Sequence, residues 1–186
     1  MIEQSLFAVK EVPAIMGIST NNTGHKFIVR EDNNSVLSCV TNEYKLVTNQ
    51  EVMDKALPII ERNHGTIDEV KTFAQGARSS WVFKFRKNPI TIQGEKLFPQ
   101  LNIKNSYDAS TQVDVLGGAF RLVCSNGLVI GRILGHKSAR HSIWNSKLQN
   151  GHIGSLVEET IENMDVLQPP RPNLQNTLVT LGGNPS

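Results

Sequence analysis

Asp108 and Asp114, with His136 or His141 further along, are the side chains best suited to direct chemistry. Two carboxylates and an imidazole can hold Mg²⁺ or a similar hard cation and promote phosphodiester cleavage. Their spacing is not diagnostic, because carboxylates in strand-rich sequence need not converge, and a metal-dependent nuclease is the weakest of three readings. No Walker loop, His-Glu-x-x-His, Gly-x-Ser-x-Gly or dinucleotide-binding glycine pattern occurs.

A second chemistry needs no catalysis. Residues 76–150 carry eleven Lys/Arg against Glu95, Asp108 and Asp114, a net +8, while the remainder carries eight basic and fourteen acidic residues, a net −6. Together these give the chain's +2, and the asymmetry points to an anionic partner for the central region. Cations take phosphates and release condensed counterions, and an aromatic ring stacks on any base for about 1–3 kcal/mol. The candidate DNA-binding residues are Arg78, Lys84, Arg86, Lys87, Lys104, Arg121, Arg132, Lys137 and Arg140, with Tyr107 or Trp144 for stacking. Two plainer readings stand beside this one: the cations scatter around a solvated sheet, and Tyr107 packs at the sheet edge.

The elements that must position these side chains are mostly strands. Trp81, Phe83 and Phe85 alternate with Val82, Lys84 and Arg86, which places three aromatics on one face and two cations on the other. Three aromatics beside a helix read as core, so the basic residues fall on the exposed side. From Gln112 to Val115 polar and apolar residues alternate, Gly117-Gly118 breaks the run, and Phe120, Leu122 and Cys124 then share a face. Asn126-Gly127 between two apolar runs predicts a two-residue hairpin turn, because both positions tolerate positive φ. The meander should end near residue 134, and the polar, basic stretch at 135–151 should be a surface segment.

Upstream, Leu6 to Met16 is apolar and interrupted by Pro13, and residues 17–24 read as loop. Lys26 to Arg30 and Val36 to Thr41 read as a hairpin turning at Asp32-Asn33-Asn34-Ser35, with Tyr44 to Val47 a possible third strand. Thr48-Asn49-Gln50-Glu51 fits a capping box, followed by Val52, Met53, Ala56, Leu57 and Ile60 at helical spacing until Asn63-His64-Gly65. Pro58 should kink or divide that helix. Strand signals return from Ile67 with a turn at Gly76, and shorter strands follow at Ile90 to Ile92 and Leu101 to Lys104. A second helix should begin at Ser155, with Glu158 completing its capping box, Ile153 as a staple and Leu156, Val157, Thr160, Ile161 and Met164 on the packing side.

The fold class expected is α+β: a mainly antiparallel twisted β-sheet with one or two helices packed on one face. Residues 1–167 are read as a single domain and residues 168–186 as an extended or partly disordered tail. Cys39 and Cys124 fall in strands without Cys-x-x-Cys spacing, so buried free thiols are expected and neither a zinc site nor a redox pair. No apolar run is long enough for a membrane span or a signal-peptide core, which makes the cytoplasm the expected location.

The segments NSYDAST (residues 105–111) and FRLVCSNGL (residues 120–128) resemble the phage and plasmid-like protein family catalogued as domain of unknown function 932. TNEYKLVTNQE looks like that family's strand, Tyr and helix-entry pattern, and GARSSWVFKF like its Gly-x-x-x-x-Trp strand, so the resemblance spans about residues 37–130. The family pattern has a His-Asp-Gly-like triplet where this chain has Tyr107-Asp108-Ala109, and a Thr where it has Gly127, so any role tied to that His or Thr does not carry over. The resemblance implies a mobile-element gene context near replication and recombination genes, and a distant likeness to single-strand annealing proteins.

Two functions from different classes follow. The first is a non-catalytic, phage- or plasmid-type binder of single-stranded DNA that assists recombination or annealing, with no cofactor and little base specificity. By analogy such a protein forms homo-oligomers and works beside recombination or replication proteins. The second is a mobile-element accessory protein whose basic strip meets an acidic surface of a host or phage protein.

Overall fold

The computed structural model describes residues 1–17, 22–86, 89–92, 94–122, 129–142 and 152–166. Strands β1 (Val9–Ile15), β2 (Asn22–Arg30) and β3 (Val36–Thr41) form an antiparallel sheet in that order. β1 lies at its edge, where a proline that cannot donate to a ladder is tolerated, and the register slips between Pro13 and Ile15. The β2–β3 turn closes as its residues predict: Ser35 N donates to the Asn33 side chain and Asn34 takes a φ of 56°.

Alternation along β3 turns Val40 inward and leaves Cys39 exposed, which corrects the buried thiol expected there. Cys124 lies outside the described residues. The third strand expected at Tyr44 to Val47 does not form, because side chains claim its carbonyls. Lys26 Nζ donates to Tyr44 O, His141 Nδ1 bonds Lys45 O, and Asn105 Nδ2 donates to Val47 O.

Helix α1 (Asn49–Arg62) starts at the predicted capping box, with Thr48 accepting from Glu51 N and the Glu51 side chain accepting from Thr48 N. Such a cap contributes about 1 kcal/mol. The helix carries Pro58 without dividing. At its end the left-handed residue is His64 (φ 62°), and Gly65 already opens the next strand. Gly65 is small for a different reason: a Cβ there would lie 2.5 Å from Ile60 Cγ2 and 2.8 Å from Phe85 Cε1.

The larger sheet is built from β4 (Gly65–Phe73), β5 (Arg78–Phe85), β8 (Gln100–Ser106), β9 (Val113–Leu122) and β10 (Val129–Ala139). Its order is β10-β9-β8-β5-β4 with every pairing antiparallel, and a small hairpin, β6 (Ile90–Ile92) and β7 (Glu95–Leu97), sits between β5 and β8 in sequence. The α+β class holds. Helix α2 (Ile153–Val166) and α1 pack against each other, α1 also against β4 and α2 against β9 and β10. Between helices and sheet lie Trp81, Phe83, Phe85, Leu101, Ile103, Val113 and Val115, so the aromatic triplet faces the helices as expected.

Several boundaries differ from the sequence reading: β2 already begins at Asn22, inside the stretch read as loop, and three further differences have a structural reason. β9 runs unbroken through Gly117-Gly118, whose first glycine admits α2: a Cβ on Gly117 would lie 2.5 Å from Met164 Sδ and 2.9 Å from Thr160 Cγ2. β10 continues past residue 134 to Ala139, because a register shift after Ile133 restores its pairing with β9. α2 starts at Ile153, not Ser155, since Ile153 is itself buried in the core and Leu156 N reaches His152 O. The Asn126-Gly127 turn and the tail at 168–186 lie outside the described residues, although Leu122 and Val129 are paired as a hairpin there would require. Among the described residues no helix is long and apolar enough to cross a membrane.

Gly65→Ala should destabilise the fold by about 1–3 kcal/mol, because neither Ile60 nor the Phe85 ring can retreat from a packed core. Gly17→Ala is the control, since a methyl added there meets nothing within 4 Å. Urea denaturation of the two variants beside the parent measures the difference.

Candidate functional site

One face of the larger sheet is covered by helices and the other is polar. Because cross-strand partners share a face, Lys104 opposite Ser80 and Asp114, and Asn102 opposite Val82 and Leu116, belong to the second face. His136 and Ser138, registered opposite Leu116 and Asp114, extend it on β10. Its central residues are half-buried, and Ser80 Oγ bonds Asn102 Oδ1 at 2.9 Å.

At one end this face runs into a cleft of about 910 Å³ between the two sheets. The three-stranded sheet contributes His25 and Cys39, the larger one Lys104 and Asp114, and the β8–β9 connection Asp108 and Thr111. Arg140 and His141, just beyond β10, complete the wall. The His141 ring stacks on Tyr44 with centroids 5.0 Å apart, and its Nδ1 lies 3.1 Å from Lys45 O. A carbonyl only accepts, so Nδ1 carries the proton and Nε2 is left as an acceptor. Burial lowers the pKa of this imidazole, partly opposed by the Lys45 hydrogen bond.

The predicted binding residues separate in space. Lys84 and Lys104 both stand on the open face, and Arg86 is exposed just past the end of β5. Lys104 has no ion-pair partner among the described residues, whereas Lys84 bonds Asp68 at 2.8 Å. Arg78 Nε donates to Asp108 at 2.7 Å, and Lys137 reaches across to Glu159 of α2 at 3.0 Å, on the helix side. Arg140 lines the cleft. The backbones of Arg121 and Arg132 are registered opposite Ile130 and Ala119. Lys87 and Trp144 lie outside the described residues.

Tyr107 is corrected as a stacking residue. It is only 1% exposed, its hydroxyl accepts from Asn49 N at 2.7 Å, and its carbonyl accepts from Ser38 Oγ. Desolvation pushes its phenol up to about 12. Packing wins because ring and hydroxyl are both already engaged, with Phe7 edge-on at 6.0 Å.

The candidate acids are likewise committed. Asp108 accepts from Ser110 N as well as from Arg78, which is the turn role open to it in the sequence. Burial pushes its carboxyl up, but these hydrogen bonds outweigh that and the net shift is downward. Asp114 accepts from His136 Nε2 at 2.5 Å. Although Asp108, Asp114 and His141 reach one cleft, no three His, Cys, Asp or Glu among the described residues are grouped to hold a metal ion. His25, Cys39 and Thr111 were missed by sequence reasoning. Their closeness to Lys104 and Asp114 arises from packing one sheet on another, and only the buried tyrosine of TNEYKLVTNQE hints at that junction.

A family model described as a domain of unknown function (DUF932) matches residues 36–179. No solved structure matches the chain.

The buried imidazole gives a pH signature. Its folded pKa is depressed, so the stability it contributes is present above the unfolded value of about 6.5 and is lost as pH falls from there toward the folded value. The melting temperature should fall between pH 7 and 5, and His141→Phe should flatten that part of the profile, as thermal denaturation followed by circular dichroism would record.

Proposed function

The chain belongs to the DUF932 family, whose description assigns no activity, and from that premise we propose that it is a non-catalytic binder of single-stranded DNA. The sugar-phosphate backbone tracks across the open face of the larger sheet. The observation that carries this reading is the placement of Lys84 and Lys104 together on a polar, half-exposed sheet face, with Arg86 at its margin. Flexible ammonium groups above a sheet grip phosphates without reading bases. With Tyr107 buried, the described part of this face offers little stacking, so affinity comes from backbone charge and depends steeply on salt. Such a binder suits recombination or annealing on a phage or plasmid, in the cytoplasm of the host.

A protein partner is the second reading, favoured by the ion pairs Lys84–Asp68 and Lys71–Glu69, which give part of the same sheet a mixed-charge surface. Fluorescence anisotropy of labelled single-stranded and duplex oligonucleotides separates the two. The parent should bind the single strand more tightly and weaken sharply between about 50 and 200 mM salt. Lys84→Glu with Arg86→Glu should reduce affinity at low salt by about tenfold or more and make the salt dependence shallower by about 0.7 per lost phosphate contact. Unchanged affinity in that double variant, or no binding by the parent at low salt, sinks the DNA reading and favours the protein partner.

A further inference from the structure

Charge alone gives the open face of the larger sheet no reason to prefer a single strand, since a duplex presents its phosphates at higher density. Selectivity for a single strand needs a surface that takes up unpaired bases. The end of that face where β5 stops and β8 starts has one.

The ladder between β5 and β8 runs past its last registered pair, Lys84 and Gln100, because Phe85 N donates to Pro99 O at 2.9 Å. Burial keeps the alternation of a strand there: Leu101 and Pro99 are buried, Gln100 is half-buried and Phe98 is exposed. Phe98 therefore shares the open face with Gln100, and the register, continued by two residues, sets it across from Arg86. The ring is 42% exposed. Arg86 is exposed and has no ion-pair partner among the described residues, while Lys84 holds Asp68 in a pair open to solvent and easily exchanged.

The same end of the face is apolar on the far side of Gln100. Gln100 is registered opposite Gly118 and Gly118 opposite Ile133, so Ile133, 61% exposed, stands on this face too. Gly118 puts no side chain between them. In the next row Asn102 lies between Val82 and Leu116, both half-buried. A lone exposed apolar side chain is ordinary on a protein surface, but an exposed ring and an exposed isoleucine on one sheet face beside two cations make a surface of mixed chemistry. A phenyl ring stacks on any base, and a guanidinium and an ammonium take the flanking phosphates. Bases inside a duplex are already stacked on one another and reach such a ring only at the cost of unstacking.

We propose that Phe98 is a base-stacking residue and that, with Ile133 extending the apolar surface and Lys84 and Arg86 contacting phosphates, it forms the subsite that selects single-stranded DNA over duplex. This rests on the open face being the DNA-binding surface.

Fluorescence anisotropy of the full chain with labelled oligothymidylate, an abasic strand of the same length and a duplex tests the proposal. The parent should bind the abasic strand about tenfold more weakly than oligothymidylate, and Phe98→Ala should bind the two alike. Phe98→Ala should leave duplex affinity unchanged and keep the parent's salt dependence, because no phosphate contact is removed. Phe98→Trp should keep the parent's affinity, and the emission it adds to the parent's should be quenched by oligothymidylate and not by the abasic strand. Where Phe98→Ala lowers the urea midpoint, the quenching of Phe98→Trp decides in its place. Full oligothymidylate affinity in a folded Phe98→Ala, an equal loss on single strand and duplex, or unquenched Phe98→Trp emission overturns the subsite, while binding by the parent leaves the phosphate-gripping face standing. No binding of the parent to any strand at low salt removes that face as a DNA site and the subsite with it.

Discussion

Asn49, buried at the first turn of α1, fastens that helix and the N-terminal turn to the larger sheet. Its Nδ2 donates to Ser5 O and to Ser79 Oγ, its Oδ1 accepts from Asn105 Nδ2, and its backbone N–H reaches the Tyr107 hydroxyl. Ser5 in turn accepts from Trp81 Nε1 and donates to Ile2 O. One side chain therefore ties the N-terminal turn, α1, β5 and β8 together. In an apolar setting each of these bonds matters less for what it adds than for what its loss would leave unpaired, about 1–3 kcal/mol per orphaned group.

That junction also separates the apolar interior into two clusters. The larger lies between the helices and the five-stranded sheet, and the smaller gathers Ile28, Val40, Tyr44 and Tyr107 under the three-stranded sheet. Tyr44 crosses the seam by donating to Ser106 O at 2.7 Å, and Arg30 does so by lying over the Phe7 ring while donating to Gln75 O. The cleft is what the seam leaves open on its polar side. Its walls come from segments far apart in sequence, held by tyrosines that bury their rings and spend their hydroxyls on backbone.

Local patterns were legible in the sequence wherever one short-range rule governed the outcome. The capping box at Thr48, the alternation of Trp81, Phe83 and Phe85 and the turn at Asn33-Asn34 each depend on neighbours a few residues away, and each is as read. The misreadings share a different cause. Gly117 looked like a strand breaker because in isolation glycine weakens strands, but what selects it is the approach of Met164 and Thr160, nearly fifty residues later. Tyr44 to Val47 looked like a strand because its composition is right, yet its carbonyls bond side chains from β2, β8 and the end of β10. Local sequence does not decide between surface and packing for Tyr107, because the groups that decide it, Asn49 and Ser38, both lie more than fifty residues upstream.

Charge shows the same limit in another form. The sequence gathers eleven cations between residues 76 and 150, but a count along the chain takes no account of which face each one occupies or which acid stands beside it. Lys137 is drawn to Glu159 on the helix side, Arg78 is spent on ordering Asp108, and Lys84 shares its charge with Asp68. Exposed pairs of this kind are worth about 0–1 kcal/mol, so an anion that brings several charges at once can exchange with the carboxylates at little cost. Paired surface cations thus remain available to a polyanion while lending little field to a single small anion. Lys104 differs in having no acid to give up among the described residues. It stands on both the open face and the cleft wall, across from Asp114 on the neighbouring strand, so its charge reaches whatever enters either, tempered by that carboxylate.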